Sequence, residues 1–483
     1  MNPYKYACVY SVFLRQSAGF LLLLLLTFTG SGQLFAQSDA TFTQRMDSVI
    51  QQEWNAASSQ WINTVKEEYS FNTDGDITLF IKSEWSTANT WESVWEEEFT
   101  YDASGRMVLL MVRSRDSISL QMVNYWKEEY TWDASGNITL YLTYEWNKVT
   151  SQWASSWKAV YVYNTSGQLT LYNDYYWNAS SSQWVNLWKA EYIYTAGILS
   201  QYRDYYWSGQ WVSSWKADYT YNAQGLLDTY TDYSWSTSSS QWINSGRKVY
   251  VYNAAGNETS LTSYTWSSGT GQWAYQRKDE WTYNTAGSVT LYLVSVPNQS
   301  GSQWVNSWKQ DFGYDLSGIL ISITDHNWVV SSVQWNYAGK QEFSYNSGIP
   351  ATNISMPYWY RSNTIFMDHM LTQYVDLAWS NSAWTNESRT LCYYTALPPI
   401  GMNELTASRL KVYPNPAHDL LYLEAQTGAE EITFVLMDIS GRIVMKHSLQ
   451  QFSVLSLDGL TSGIYAYRVK SGDWTESGRL IVE

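Results

Sequence analysis

The sequence predicts an all-β protein: tandem β-hairpin repeats of about 31 residues forming a long twisted antiparallel sheet, with a small carboxy-terminal β-sandwich. Three observations predict it. Glycines that close turn-like tetrapeptides recur at Gly75, Gly105, Gly136, Gly167, Gly197, Gly225, Gly256, Gly287, Gly318 and, more loosely, Gly348, and a period this regular marks a repeat architecture. Between them, side chains alternate with the period of two that a strand requires. The 483 residues also hold 29 Trp and 41 Tyr against 8 Pro, and rings suit a pleated, half-buried surface.

Each glycine ends a tetrapeptide such as Asn164-Thr165-Ser166-Gly167. Asn or Asp first and Gly last suit a type I turn followed by a left-handed glycine, a three-residue hairpin loop. The residue four before the glycine then faces the residue two after it. Alternation outward puts Trp157, Ala159, Tyr161 and Tyr163 on one face, together with Leu169, Leu171, Tyr175 and Trp177. Other copies agree, with Tyr205 and Trp207, or Tyr233 and Trp235, in the outgoing strand. The opposite face receives Val160, Val162, Thr170 and Tyr172. There Lys158 falls across from Asp174, Lys189 from Asp204, Lys216 from Asp232 and Lys309 from Asp325. The second connection, Trp177 to Trp184 ("WNASSSQW"), recurs as Trp235 to Trp242 ("WSTSSSQW") and reads as a cross-strand tryptophan pair holding the far end of a hairpin.

About ten copies occupy residues 37–395, the last around Trp379, Trp384 and Tyr393. Strands twist, so such a sheet must curl, and a spiral or open superhelix would bury its ring-bearing face. A propeller of four-stranded blades is an alternative. An outer-membrane barrel is disfavoured because a lipid face should be apolar throughout, whereas the ring face carries Glu67, Glu97, Glu128 and Asn173 in mid-strand. "YDASGRM" (Tyr101 to Met107) and "YDLSGIL" (Tyr314 to Leu320) resemble the tyrosine–aspartate repeats of Rhs-type shell proteins, which are also spiralling hairpins; the resemblance covers the turn.

Residues 1–36 read as a signal peptide. Lys5 and Arg15 precede or flank six consecutive leucines, and "LFAQ" offers cleavage after Ala36. Its removal takes Cys8 and leaves Cys392 alone, so no internal disulfide is available to the exported chain. Residues 396–409, with "ALPPIG", read as a linker. Beyond it, residues 410–483 turn to short aliphatic strands: "LKVYPNPAHDLLYLE", "ITFVLMDISGRIVMK" and "LDGLTSGIYAYRVKSGDWTESGRLIVE". This tail closely resembles the type A sorting domain of the Bacteroidetes type IX secretion system. The matching positions are Tyr413-Pro414-Asn415-Pro416, Asp438 with Gly441, Leu460 with Gly463-Ile464-Tyr465, and the closing strand from Arg479 to Val482. The resemblance implies a β-sandwich, the type IX secretion machinery as partner, and passage through the periplasm to the medium or the outer cell surface.

A net charge of −15 excludes a nucleic-acid partner by simple repulsion. No spacing of His, Cys or Asp suits a metal, and no phosphate loop or nucleophile elbow is present, so the sequence predicts no catalytic residue, metal or cofactor. A glycosidase needs one unique carboxyl pair, whereas Asp174, Asp204, Asp232 and Asp325 form a repeated column. Tyr141, Tyr172, Tyr202, Tyr230 and Tyr292 each lie five residues after a glycine and fall on the polar face as a stripe. They are the candidate binding residues, able to stack on sugars or to brace the outside of the sheet. The chain thus reads as an exported, non-catalytic scaffold, adhesin or binding element, with polysaccharide or a host or cell surface as partner. The alternatives are a dedicated carbohydrate-binding surface, or a glycan-degrading enzyme with its cleft in the irregular stretch from Ile349 to Arg361.

Overall fold

The structure, a computed structural model, describes residues 42–361, 368–397, 410–413, 417–425, 432–438, 442–449, 452–471 and 474–482. The signal segment, the linker beyond Leu397, and Pro414, Asn415, Pro416 and Gly441 of the sorting motif lie outside the described residues. The chain divides into two compact units, Met1–Leu397 and Pro398–Glu483.

The repeat follows from its turns. Asn164 N–H donates to Gln168 O at 2.9 Å and Gly167 N–H to Asn164 O at 3.0 Å. The Asn164 side-chain oxygen accepts from the N–H groups of Ser166 and Gln168, both at 3.0 Å. Gly167 sits at φ 76°, where a side chain would be strained. Asp102, Asp133, Asn222, Asn253, Asn284 and Asp315 cap their own turns in the same way. The tyrosine ahead of most turns, replaced by Phe71 and Trp132 in two of them, has a second task. Tyr163 donates its hydroxyl to Ile138 O at 2.9 Å, Tyr194 to Leu169 O at 3.0 Å and Tyr252 to Leu227 O at 2.8 Å. Each bond ties one hairpin to the hairpin before it.

Beyond the turn, the expected faces need correction. Tyr163 does face Leu169, but the next pair is Val162 with Leu171, so Thr170 is an extra residue. Its hydroxyl bonds the facing Val162 carbonyl at 3.1 Å. A β-bulge of this kind flips every later side chain of the strand. Tyr172 therefore faces Tyr161 and Asp174 faces Ala159, while Leu171, Tyr175 and Trp177 lie on the other face. Equivalent bulges move Tyr205 and Trp207, and Tyr233 and Trp235, in the same way. A second bulge at Leu187 lets Trp177 face Trp184 while Asp174 faces Trp188.

Successive hairpins join in one 23-stranded sheet, and it does not end in free edges. The first strand, Gln44–Asn55, pairs antiparallel with Gln60–Phe71 on one side and with the last, Ala383–Ala396, on the other. The sheet is thus a closed barrel and not an open spiral, and its strands are not divided into propeller blades. Closure pairs the backbone groups that two open edges would leave exposed. Gly348 closes no turn: the strand Gln334–Pro350 runs through it, and the chain returns as His369–Ser380. Between them, Ile354–Ser355 pairs in parallel with Gln44 and Arg45, and the helical turn Tyr358–Arg361 follows. Trp359 packs on Tyr69 and Phe80, with ring centroids 6.2 and 5.9 Å apart, and the Tyr360 hydroxyl lies 3.3 Å from buried Glu67.

Val49 faces Cys392 across the seam, and both are buried. Facing residues of antiparallel strands lie about 4.5–5.5 Å apart, within reach of a disulfide. In a chain also carrying Cys8→Ser, Val49→Cys is expected to cross-link to Cys392 on oxidative refolding, giving a shifted band on non-reducing gels. Two free thiols in the refolded protein would mean that the sheet's ends do not meet.

The second unit contains a three-stranded sheet (Leu410–Tyr413, Leu420–Ala425, Phe452–Ser456) and a four-stranded one (Ile432–Met437, Ile443–Leu449, Gly463–Ser471, Trp474–Val482). Leu421, Leu423, Phe434, Leu436, Val469 and Leu480 are fully buried between them, which makes a small β-sandwich. Tyr465 belongs to that core and donates its hydroxyl to Thr461 O at 2.7 Å, Gly463 opens its strand, and Tyr413 is 41% exposed.

Candidate binding surface

Closure gives the sheet an inner and an outer face, and inward side chains converge and lose water. The buried face carries the rings, and it is the one on which Ile354, Met356 and Trp359 pack. In the strands Gln152–Tyr163 and Leu169–Asn178 it holds Trp157, Ala159, Tyr161, Tyr172 and Asp174. From Tyr141 to Tyr230 the rings pack into one belt, mostly edge to face. Tyr161 meets Tyr172 at 5.2 Å, Tyr172 meets Trp188 at 5.4 Å, and Tyr202 meets Tyr192 and Trp215, both at 5.2 Å. Such pairs add roughly 0.5–1.5 kcal/mol each beyond the area they bury.

This belt is where the tyrosine stripe lies, so its expected place on a polar outer face is wrong. Tyr172 is 5% exposed and Tyr202 1%. Tyr141 and Tyr230 pack against the same cluster, and Tyr292 stacks on Trp281 while donating to Asp279 at 2.5 Å. Tyr172 and Tyr202 are too covered to offer a face to a sugar, and half-buried Tyr141, Tyr230 and Tyr292 turn to the inside of the wall with them. The stripe braces the inside of the wall.

The carboxylates lie on this inner face too, and the expected lysine pairs do not form. Asp174, Asp204 and Asp232 each face an alanine, Ala159, Ala190 and Ala217, whose small side chains leave room for them. Burial pushes the Asp174 carboxyl up to about 7 and that of Asp204 to about 6, although Trp215 N–H donates to Asp204 at 2.7 Å. Glu97 is likewise raised to about 7 by burial, against a stabilising bond from Trp95 Nε1 at 2.8 Å. The lysines point outward. Lys189 pairs with Glu191 at 2.8 Å, Lys216 with Asp218 at 3.0 Å and Lys309 with Asp311 at 2.6 Å.

The outer face is therefore charged in mid-strand, with Lys127–Glu129, Lys278–Glu280 and Lys340–Glu342 continuing the series. Glu67, Glu97 and Glu128, which look from the sequence like obstacles to a lipid face, turn inward and do not bear on it. The outward lysines do, because each Lys or Arg at a bilayer midplane costs roughly 2–4 kcal/mol.

At one rim the outer face changes character. Trp54 pairs with Trp61, Trp85 with Trp91, Trp146 with Trp153, Trp177 with Trp184, Trp207 with Trp211, Trp235 with Trp242, Trp266 with Trp273, Trp328 with Trp335, and Trp379 with Trp384. Their centroids are 4.8–5.1 Å apart and their planes at 65–70°. The cross-strand tryptophan pair expected from the sequence is thus present and repeated, and all these rings are half-buried. Lysines support them from below: Lys158 Nζ lies 4.0 Å from the Tyr175 centroid and 5.2 Å from that of Trp184, and Lys189 repeats this with Tyr205 and Trp211 at 4.1 and 5.6 Å. Exposed glutamines precede the tryptophans at Gln60, Gln152, Gln183, Gln241, Gln272 and Gln334. The signal for this rim is in the sequence, as the recurring Gln-Trp dipeptide after a serine-rich loop.

Comparison with known proteins bears on the tail. Residues 411–483 match the secretion system C-terminal sorting domain. The second unit is thus the type IX sorting domain that its motifs resemble, and it addresses the protein to the cell surface or for secretion. No curated protein matches the chain. Among solved structures, a protein of unknown function from Bacteroides fragilis aligns at 16% identity over 32% of this chain and 91% of its own, with a TM-score of 0.19. A DUF3836 family protein from Bacteroides vulgatus aligns at 18% over 18% and 89%, TM-score 0.17. A porin-like protein from Bacteroides uniformis aligns at 12% over 56% and 95%, TM-score 0.23. Scores this low leave the fold to rest on the strand pairing itself.

Proposed function

We propose that the protein is an exported, non-catalytic adhesive barrel that makes contact through its tryptophan rim. The carrying observation is the rim: half-buried indoles, repeated around one end, on the outside of a protein whose tail directs it out of the cell. Isolated exposed rings need no explanation, but the same aromatic pair repeated on nine hairpins of one rim, interrupted at Arg115–Met122 and Pro297–Trp304, marks an interaction surface. A non-catalytic role is supported by the placement of the raised carboxyls. Asp174 and Asp204 occupy equivalent positions in successive hairpins, and Glu97 belongs to a second repeated series with Glu67 and Glu128. Burial on the inner face sets the raised carboxyls, and they are not one unlike pair in a cleft. The stretch from Ile349 to Arg361 supports the same reading, because Ile354, Ser355 and Met356 are buried against the wall.

Mixed with intact bacterial cells and with insoluble cell-wall particles, the full chain should sediment with at least one of them. The triple variant Trp184→Ala, Trp211→Ala, Trp242→Ala should stay in the supernatant while keeping its inner belt. Equal sedimentation of the variant, or none of the parent, would overturn the reading.

A further inference from the structure

We infer that the tryptophan rim binds a neutral, extended polysaccharide that crosses successive hairpins, an inference that rests on the rim being the contact surface. Three features point to this ligand. First, a sugar ring has an apolar C–H face and a hydroxyl edge, and most rim positions, Trp91 and Trp384 excepted, offer the matching pair. The half-buried indole of Trp184 or Trp242 supplies a flat apolar surface, and the exposed amide of Gln183 or Gln241 supplies one acceptor and two donor hydrogens. A lipid surface would call for an apolar lip, whereas the lip from residue 178 to 272 is built of small and polar residues, chiefly Ser, Asn, Thr, Gly and Gln; the exposed Ile118, Leu120, Val149, Val330 and Val333 stand in three other rim loops.

Second, most of the lip is uncharged, and the charges that its loops do carry, Asp116 and Lys148, pair with each other. The loops at 55–60, 178–183, 236–241 and 267–272 contain no charged residue, and the lysines beneath the rings are held by carboxylates or rings. With a net charge of −15 over the whole chain, a polyanion would be repelled and a neutral polymer would not.

Third, the spacing suits a polymer. Neighbouring strands lie about 4.8 Å apart, so equivalent tryptophans recur roughly every 10 Å, close to the length of a disaccharide unit in an extended chain. One stacked ring is a weak contact. Several engaged by one polymer multiply the affinity without any new kind of contact, provided that the chain spans them.

The test is native electrophoresis of the full chain in gels containing hydroxyethyl cellulose, glucomannan or galactomannan, with a tetrasaccharide as soluble competitor. At least one polymer should retard the protein, and the tetrasaccharide should compete at least tenfold worse per sugar than the polymer. The triple variant Gln183→Ala, Gln241→Ala, Gln272→Ala, which leaves every indole in place, should lose most of the retardation at an unchanged melting temperature. If no neutral polymer retards the protein while the rim variants still abolish sedimentation with cells, the ligand is not a polysaccharide and the inference falls, though the rim stands. Rim-dependent binding to zwitterionic vesicles in place of polymer would also overturn it. Retardation that both sets of variants retain would remove the rim, and the inference and the proposed function would fall together.

Discussion

Tyr202→Ala is expected to destabilise the barrel by about 3–5 kcal/mol, as deletion of a buried large side chain does. Tyr202 is 1% exposed and touches three rings: Tyr192 and Trp215 at 5.2 Å and Trp188 at 6.5 Å. Alanine there opens a cavity in the middle of the belt, and the neighbours cannot collapse into it because their own backbone is held by strand pairing on both sides. Tyr206 is the control. It lies four residues on in the same strand and is 42% exposed, so Tyr206→Ala should stay within about 1 kcal/mol. Urea melts followed by tryptophan fluorescence would compare the two. A Tyr202→Ala cost below about 1 kcal/mol would mean that the ring face is wet.

Mild acid should strengthen the fold. Asp174, Asp204 and Glu97 have carboxyls raised by burial to about 7, 6 and 7. In the unfolded chain they return to ordinary carboxylate values near 4. Below that value both states are protonated and the favourable term is complete. As pH rises toward 7 the unfolded state ionises freely while the folded one holds its protons against burial, and stability falls by roughly 1.4 kcal/mol per pH unit per group. Around Asp174 the facing groups are Ala159 and Trp188, with Tyr172 beside it, so no cation offsets the effect. The urea midpoint should therefore be higher at pH 5.5 than at pH 8, and Asp174→Asn should flatten that slope. In stronger acid, protonation of Glu191, whose carboxyl is held below the ordinary value, against the upward push of burial, by hydrogen bonds from Lys189 and Tyr205, breaks the outer pair with Lys189 and the trend should reverse. A midpoint that rises steadily from pH 5.5 to pH 8 would show that these carboxyls are not buried as described.

The turns are legible in the sequence because their chemistry is local: Asn164 caps its own loop and Gly167 alone suits its φ. The tail is legible for a different reason, since its motifs keep a fixed order over the matched residues. The faces are not legible, because one extra residue reverses them and alternation read through the bulge sends Tyr172 and Asp174 to the wrong side. A mark of the bulge is nonetheless present. Thr139, Thr170, Thr259 and Thr290 all stand three residues after their glycines, and each hydroxyl bonds the carbonyl across the bulge. A hydroxyl residue recurring in an otherwise apolar or aromatic strand is a reason to interrupt the count. Closure leaves no such mark. The residues of Gln44–Asn55 that meet Ala383–Ala396 look like those of any other strand, and nothing periodic tells first from last.

That meeting of first and last makes the barrel's girth a matter of parity. In a meander each strand reverses the direction of the one before, so its two ends can join antiparallel only when the number of strands round the barrel is even; of the 23 strands here, the two-residue Ile354–Ser355 joins in parallel and stands outside that count. A whole hairpin can be gained or lost and the ends still point the right way, giving a wider or narrower ring with the same seam between Val49 and Cys392. Half a hairpin cannot, because Ala383–Ala396 would then arrive parallel to Gln44–Asn55 and the two ladders of hydrogen bonds would no longer coincide. The repeat of about 31 residues is thus the smallest step by which this protein can change size.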